Sequence, residues 1–170
     1  GQGAPLVPAF HAAVFRKPDA NRVIVNIGGI SNLTHLPSTG TITGFDCGPG
    51  NLLLDAWTQQ HLGTPFDRDG AWSASGKVLP GLFQAMLSNP FFAAPPPKST
   101  GRDMFHLEWL KSLLPAQFAP EDIQATLLEL SARSITDAIN QHCPDSEEVF
   151  LCGGGAHNTA LRQRLSELLP

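Results

Sequence analysis

Three short β-branched runs within residues 23–45, a fourth at 148–152, and helical spacing of apolar residues between them predict a single α/β domain. Its sheet is expected to be mixed, to open with three antiparallel strands, and to be flanked by helices. The antiparallel order follows from the short links between the first three runs, because a parallel pair needs a crossover of about a dozen residues or more. A doubly wound parallel sheet fits worse for the same reason. At 170 residues the chain suits one domain with a real core, and 42% apolar with 15% charged residues argues against disorder. Sixteen glycines and fifteen prolines indicate many tight turns.

A Pro- and Ala-rich opening of twenty residues leads into VIVNI at 23–27, a buried strand that stops at Gly28 and Gly29. Residues 31–36 read as a second strand, 37–40 as a turn, and 41–45 as a third strand ending at Asp46-Cys47-Gly48-Pro49-Gly50. From Asn51, a candidate cap, Leu52, Leu53, Ala56, Trp57 and Leu62 recur at helical spacing. Residues 63–76 are polar and read as a loop, and 78–87 as a short helix. The four prolines of 89–101 argue against any regular element there. Ile123, Leu127, Leu130, Ile135, Ala138 and Ile139 predict the longest helix, opened by Pro120 with Glu121 and Asp122 in its first turn and closed before Pro144. The fourth strand at 148–152 meets a turn at Gly153, Gly154 and Gly155. An amphipathic helix follows at 158–169, with Leu161, Leu165 and Leu168 on one face. The absence of an initial Met and the stop at Pro170 directly after this helix read as a piece of a longer protein.

Charge narrows the function. Lys and Arg number 11 against 15 Asp and Glu, a net charge of −4 with no basic run, so neither nucleic acid nor an anionic membrane is an expected partner. No apolar stretch approaches the ~20 residues that span a bilayer. Cys47, Cys143 and Cys152 form neither an even disulfide framework nor a C-x-x-C pair, which fits a reducing, cytoplasmic compartment. The six histidines show no metal-ligand spacing, and no protein metal centre is expected.

The glycine turns at 28–29, 48–50 and 153–155 each follow a strand, and the last two lead toward helices. Outward backbone N–H groups at such turns make an anion nest, for which phosphate is the natural ligand. Glycine can also stand in each merely to supply a positive φ. Asp46, at a strand end beside glycines and a helix start, is placed to take a proton from an attacking hydroxyl or water, or to hold Mg²⁺. An Asx-turn that only shapes the loop is the alternative. Asp55 reads as a solvated or packing carboxylate. The run from Gly153 imitates a dinucleotide fingerprint but has Asn158 where the third glycine belongs, so a nicotinamide oxidoreductase fits worst. Lys98-Ser99-Thr100-Gly101-Arg102 offers cations and hydroxyls suited to a carboxylate or sugar, or is simply an exposed basic loop.

Taken together, GQGAPLVPAFH at 1–11, NIGGISNLT at 26–34, GFDCGPGN at 44–51, KSTGR at 98–102 and LCGGGAHN at 151–158 resemble the anhydro-N-acetylmuramic acid kinase family along essentially the whole chain. The resemblance implies a ribonuclease-H-like (actin-like ATPase) domain of the sugar kinase, actin and heat-shock chaperone superfamily. Residues 1–170 would be most of the second domain of a two-domain kinase, without the N-terminal domain and the C-terminal end, and with little or no activity alone. The implied reaction uses ATP, Mg²⁺ and water. It opens the ring of 1,6-anhydro-N-acetylmuramic acid and phosphorylates the 6-oxygen, giving N-acetylmuramic acid 6-phosphate and ADP in peptidoglycan recycling. A homodimer is also implied.

By position, the resemblance makes Asp46 the catalytic base toward water. It assigns Gly28, Gly29, Ser31 and Asn32 to the phosphates, and Gly153, Gly154, Gly155 and Asn158 to the adenosine side. The segment Lys98 to Arg102 would face the muramic acid, and Gly48, Pro49, Asn51, Thr100 and Gly101 would meet the sugar. Cys47 departs from the family's usual Thr, exchanging a hydroxyl for a weaker thiol donor. A non-catalytic nucleotide- or sugar-binding domain of the same fold is the alternative function.

Overall fold

The computed structural model describes residues 20–169; the opening motif at 1–11 lies outside the described residues. Strands β1 (Arg22–Ile27), β2 (Ile30–Leu36), β3 (Thr43–Pro49) and β4 (Glu148–Cys152) form one mixed sheet in the order β3-β2-β1-β4. The first three are antiparallel neighbours, and β4 joins β1 in parallel, with Val25 opposite Leu33 on one side and Leu151 on the other. On the central strand Val23, Val25 and Ile27 all point into the main core, the alternation expected when one face of a sheet is packed.

Seven helices follow the β-meander: α1 (Leu52–Leu62), α2 (Ala71–Ala74), α3 (Pro80–Leu87), α4 (Pro90–Ala93), α5 (Leu107–Leu113), α6 (Pro120–His142) and α7 (Thr159–Leu168). The longest, α6, starts with proline and two acids in its first turn and buries Ile123, Leu127, Leu130, Ile135 and Ile139. It holds α1 by polar contacts as well as by packing. Gln124 Nε2 donates to the Leu54 carbonyl (3.3 Å) and to Thr58 Oγ1 (3.0 Å), while Trp57 Nε1 donates to the Pro120 carbonyl (2.9 Å). Helix α7 packs on α6 through Leu161 and Leu165, and Arg164 reaches the buried Glu129 of α6 at 2.7 and 2.9 Å. Among the described residues no helix is long and apolar enough to cross a membrane.

Several boundaries differ from the sequence expectation, each for a tertiary or capping reason. The third strand starts at Thr43 and continues to Pro49, so Asp46, Cys47 and Gly48 lie within it and not in a turn. Asn32 pairs with Asp46 and Ser31 with Gly48, which leaves Cys47 as the extra residue of a β-bulge. Asn51 precedes α1 without a side-chain cap; its backbone N–H donates to the Gly28 carbonyl instead.

The polar stretch 63–76 contains a 3-10 turn (Arg68–Gly70) and α2, because the Asp67 carboxylate accepts the N–H groups of Trp72 and Ser73, both at 2.9 Å. Pro90 opens the one-turn α4, with the Asn89 side chain accepting the Phe91 N–H; a first turn is where proline is tolerated. Helix α3 begins at Pro80, not at 78, and α5 forms in a segment whose apolar pattern predicted no element. A 3-10 turn (Gly154–His157) separates the last glycines from α7.

Candidate active site

Because β1, β3 and β4 run in the same direction, the turns that leave them emerge at one edge of the sheet. Backbone bonds knit two of these turns together. Gly50 N–H donates to the Gly29 carbonyl (2.8 Å), Asn51 N–H to Gly28 (2.9 Å) and Leu52 N–H to Gly29 (3.1 Å). The third turn approaches from the other side, where the Asn51 side-chain nitrogen would stand 3.8 Å from a Cβ placed on Gly154. Residues 28–29, 50–51 and 153–155 thus gather beyond the carboxyl ends of the strands, where open α/β sheets bind ligands, and Asn51, Gly154 and Gly155 line the crevice there.

The glycines of this edge answer to different constraints. Gly153 has φ +84°, and a Cβ there would run into the Asn26 side chain and lie 2.8 Å from the Ile27 carbonyl oxygen. A Cβ on Gly155 would strike the Ile27 side chain, and one on Gly50 the Gly28 carbonyl. These three are glycine because the turns pack directly on β1 and on one another. Gly28, Gly29 and Gly154 have nothing nearer than 3.7 Å to a Cβ, so a ligand can approach their backbone. Ser31 is fully buried with its Oγ unpartnered, and a Cβ on Gly50 would come within 2.8 Å of it; Asn32 is half-buried.

Asp46 is 6% exposed and is fixed by one loop segment. Its N–H donates to the Lys98 carbonyl (3.0 Å), and its Oδ2 accepts the Thr100 N–H (2.9 Å). No described residue donates to Oδ1. The bulge at Cys47 lies beside it, a device that re-aims a side chain within a strand. Cys47 itself packs into the core, where burial first and the Asp46 charge second push its thiol far above the ordinary range. It is a neutral core group.

Gly48, at φ +150°, would place a Cβ 2.9 Å from the Phe92 ring, so the aromatic packing of α4 excludes a side chain there. Pro49 ends the strand. Thr100 gives its hydroxyl to Met104 Sδ (3.4 Å), and Gly101 has open space around it. The Lys98 ammonium is engaged by Phe91: it donates to that carbonyl (3.0 Å) and sits 4.5 Å from the ring centre, and burial lowers its pKa.

A cavity of about 630 Å³ opens beside Gly154 between α1 and the 65–69 loop, lined by Asn51, Asp55, Asp67, Asp69 and Asn158 among others. That volume suits a nucleoside-sized ligand. Asp55 belongs to this wall, not to an open surface; burial, then the charge of Asp67, raises its pKa to about 6. Asp69 holds a left-handed φ of 58° and accepts from Thr159 Oγ1 (3.4 Å). Asn158 caps α7 with its Oδ1, which accepts the Leu161 N–H (3.0 Å). The acidic wall escapes a reading by periodicity. Its visible signal is the turn chemistry of Asp67, Asp69 and Gly70, the last also left-handed and packed against Asn158. Among the described residues no three His, Cys, Asp or Glu side chains gather as a metal site.

A family model described as anhydro-N-acetylmuramic acid kinase matches residues 1–170. Curated relatives of that name from Nitrosomonas europaea, Chromobacterium violaceum and Xanthomonas campestris pv. campestris are 52%, 55% and 54% identical to the chain. Those matches take in 100% of this chain and 47%, 47% and 45% of the respective relatives. The chain therefore spans about half the length of the curated relatives it matches. A match running from the first residue to the last, over the motifs that border the crevice and hold Asp46, makes this chain a member of the anhydro-N-acetylmuramic acid kinase family.

Proposed function

We propose that the chain is most of the second, ribonuclease-H-like domain of a two-domain kinase that opens and phosphorylates 1,6-anhydro-N-acetylmuramic acid. The observation that carries this reading is the convergence of three strand-end turns on one crevice, with Asp46 fixed on a strand leading to it. The strand order β3-β2-β1-β4, with three antiparallel strands and a parallel fourth, supports the superfamily assignment. The names of the relatives support the substrate.

The residues present fit a nucleotide. Gly28, Gly29 and Gly154 leave backbone open to close approach, and Ser31 Oγ is a buried polar atom still without a partner. Asp55, Asp67 and Asp69 repel phosphate, so the 630 Å³ cavity takes the nucleoside end and the 28–29 turn the phosphate end. The amide nitrogen of Asn158 and the Gly154 backbone then orient the base and ribose. Lacking a protein cage among the described residues, Mg²⁺ is expected to arrive on the phosphates, as this ion commonly does. When bound, ATP supplies the phosphoryl group for the sugar 6-oxygen and Mg²⁺ offsets its charge.

Asp46 acts on the other half of the reaction. Its Oδ1 accepts a proton from the water whose oxygen bonds to the anomeric carbon as the bond from that carbon to the 6-oxygen breaks. The Thr100 N–H keeps Oδ2 fixed meanwhile, so the base is oriented before substrate arrives. The resemblance gives the sugar to Gly48, Pro49, Asn51, Thr100 and Gly101; of these Asn51 also lies at the wall of the nucleoside cavity, and Gly48 and Pro49 are buried. Three free thiols support a reducing, cytoplasmic setting, and the resemblance supports a homodimer.

The test is Asp46→Asn in the intact protein that carries this chain. Turnover is expected to fall by about 10³-fold or more with ATP affinity within about threefold of wild type. An unchanged rate would instead favour a non-catalytic binding domain of the same fold.

A further inference from the structure

Strand β3 is an edge of the sheet, and segment 98–100 covers part of its open side. This segment has no secondary structure of its own, yet it supplies both groups that fix Asp46: the carbonyl of residue 98 and the N–H of residue 100. It follows a run of three prolines, which contribute no backbone donors, so beyond its two bonds to Asp46 the segment draws on a side chain for a hold on the rest of the fold.

Lys98 makes that tie. Its ammonium is held at 3.0 Å by the Phe91 carbonyl and at 4.5 Å by the Phe91 ring, two contacts to one residue. Phe91 is buried, with its ring edge-on to Phe92 (5.6 Å between centres) and Phe105 (5.8 Å). Phe105 in turn meets Trp109 of α5 at 5.0 Å. The same cluster forces glycine at position 48 through Phe92. A rigid aromatic block thus anchors one cation, and the backbone around that cation holds the carboxylate.

We infer that Lys98 is a positioning residue for Asp46: its ammonium, docked on Phe91, clamps segment 98–100 to β3 and thereby sets the orientation of the carboxylate. Lys98 does not touch substrate in this role, and its charge is not offered to the sugar. The inference rests on the proposed role of Asp46 as base. Lys98→Met keeps the length and packing of the stem but loses the charge and its donors. Lys98→Arg keeps a cation able to cover the ring and donate to the carbonyl.

The experiment measures steady-state kinetics of the intact protein with Lys98→Met, Lys98→Arg, Asp46→Asn and the Asp46→Asn/Lys98→Met double variant, alongside the Tm of each. Lys98→Met is expected to lower kcat about 10- to 100-fold, since a small misplacement of a reacting group has that scale, while KM for both substrates stays within about twofold. Lys98→Arg is expected to restore kcat to within about fivefold of wild type. In the Asp46→Asn background Lys98→Met is expected to cost nothing further, as for two residues acting through one group.

A folded Lys98→Met protein with wild-type kcat would overturn the inference, as would a raised sugar KM at unchanged kcat, which would make Lys98 a substrate ligand. If Lys98→Met does not fold, the Lys98→Arg kinetics decide: kcat within about fivefold of wild type supports the clamp, and a folded Lys98→Arg protein whose kcat falls more than about tenfold overturns it. A fully active Asp46→Asn protein would sink the role of Asp46 itself, a result separable from failure of the clamp.

Discussion

Asp55 sits half-buried at the cavity wall with the Asp67 carboxylate nearby, and its pKa rises to about 6 from an ordinary 3.8. Between those values the folded state binds a proton more readily than the unfolded chain, so stability falls as pH rises through about 4 to 6. Screening at a half-exposed group reduces the effect to about 1 kcal/mol. Asp55→Asn is therefore expected to raise Tm by about 2–4 °C at pH 7.5 and by nothing near pH 4, as thermal unfolding will show. Equal shifts at both pH values would contradict the buried placement. Thiol reactivity follows the same physics: Cys47 and Cys143 are buried, with Cys143 pushed up to about 11, whereas Cys152 on β4 is half-buried. Brief alkylation followed by peptide mapping is expected to label Cys152 first and Cys47 only after unfolding. Sequence identified Asp46 by its place near a strand end. It could not show that Oδ2 is held and Oδ1 free, because the donor lies 54 residues away.

At the turn between β4 and α7 the glycines divide into packed and open positions. Gly155→Ala would drive a methyl group into Ile27 and is expected to destabilise the fold by about 1–3 kcal/mol, whereas Gly154→Ala meets only the Asn51 side-chain nitrogen at an ordinary 3.8 Å and is expected to leave urea stability within about 0.5 kcal/mol. The reverse ranking would mean that the turn does not rest on β1. In sequence these glycines are indistinguishable, since what separates them is the neighbouring strand. Helices α6 and α7 are tied by Glu129, whose pKa is held down chiefly by hydrogen bonding to Arg164. A depressed carboxylate stabilises above its unfolded pKa and loses that contribution as pH falls through the folded value. Glu129→Gln is expected to cost about 1–2 kcal/mol in urea unfolding at pH 7, with the difference vanishing in acid. Elements with strong periodicity, such as α6, were legible from sequence to within a residue. Those made by one capping side chain, such as the Asp67 turn or α4, were not, because a single hydrogen bond leaves no repeat in the pattern.

For the molecule as a whole, short links sufficed to predict a mixed sheet that opens with three antiparallel strands, but the order β3-β2-β1-β4 was not legible, because the parallel pairing of β4 with β1 is fixed by packing across more than a hundred residues. The edge of β3 could not be read in this way: its length depends on a bulge at Cys47 and on segment 98–100 lying against it, both products of tertiary packing. The acidic cavity likewise needs α1, the 65–69 loop and the last turn to meet. The chain spans about half of its relatives, and turnover is proposed to need the whole protein. The decisive measurement is therefore mass spectrometry of the sugar after the intact protein, wild type or Asp46→Asn, acts on 1,6-anhydro-N-acetylmuramic acid with ATP and Mg²⁺. The wild type is expected to give a product heavier by one phosphoryl group and one water, and Asp46→Asn to bind ATP without giving it. No product from a wild-type protein that binds ATP, or equal product from both, would contradict Asp46 as the base of this reaction.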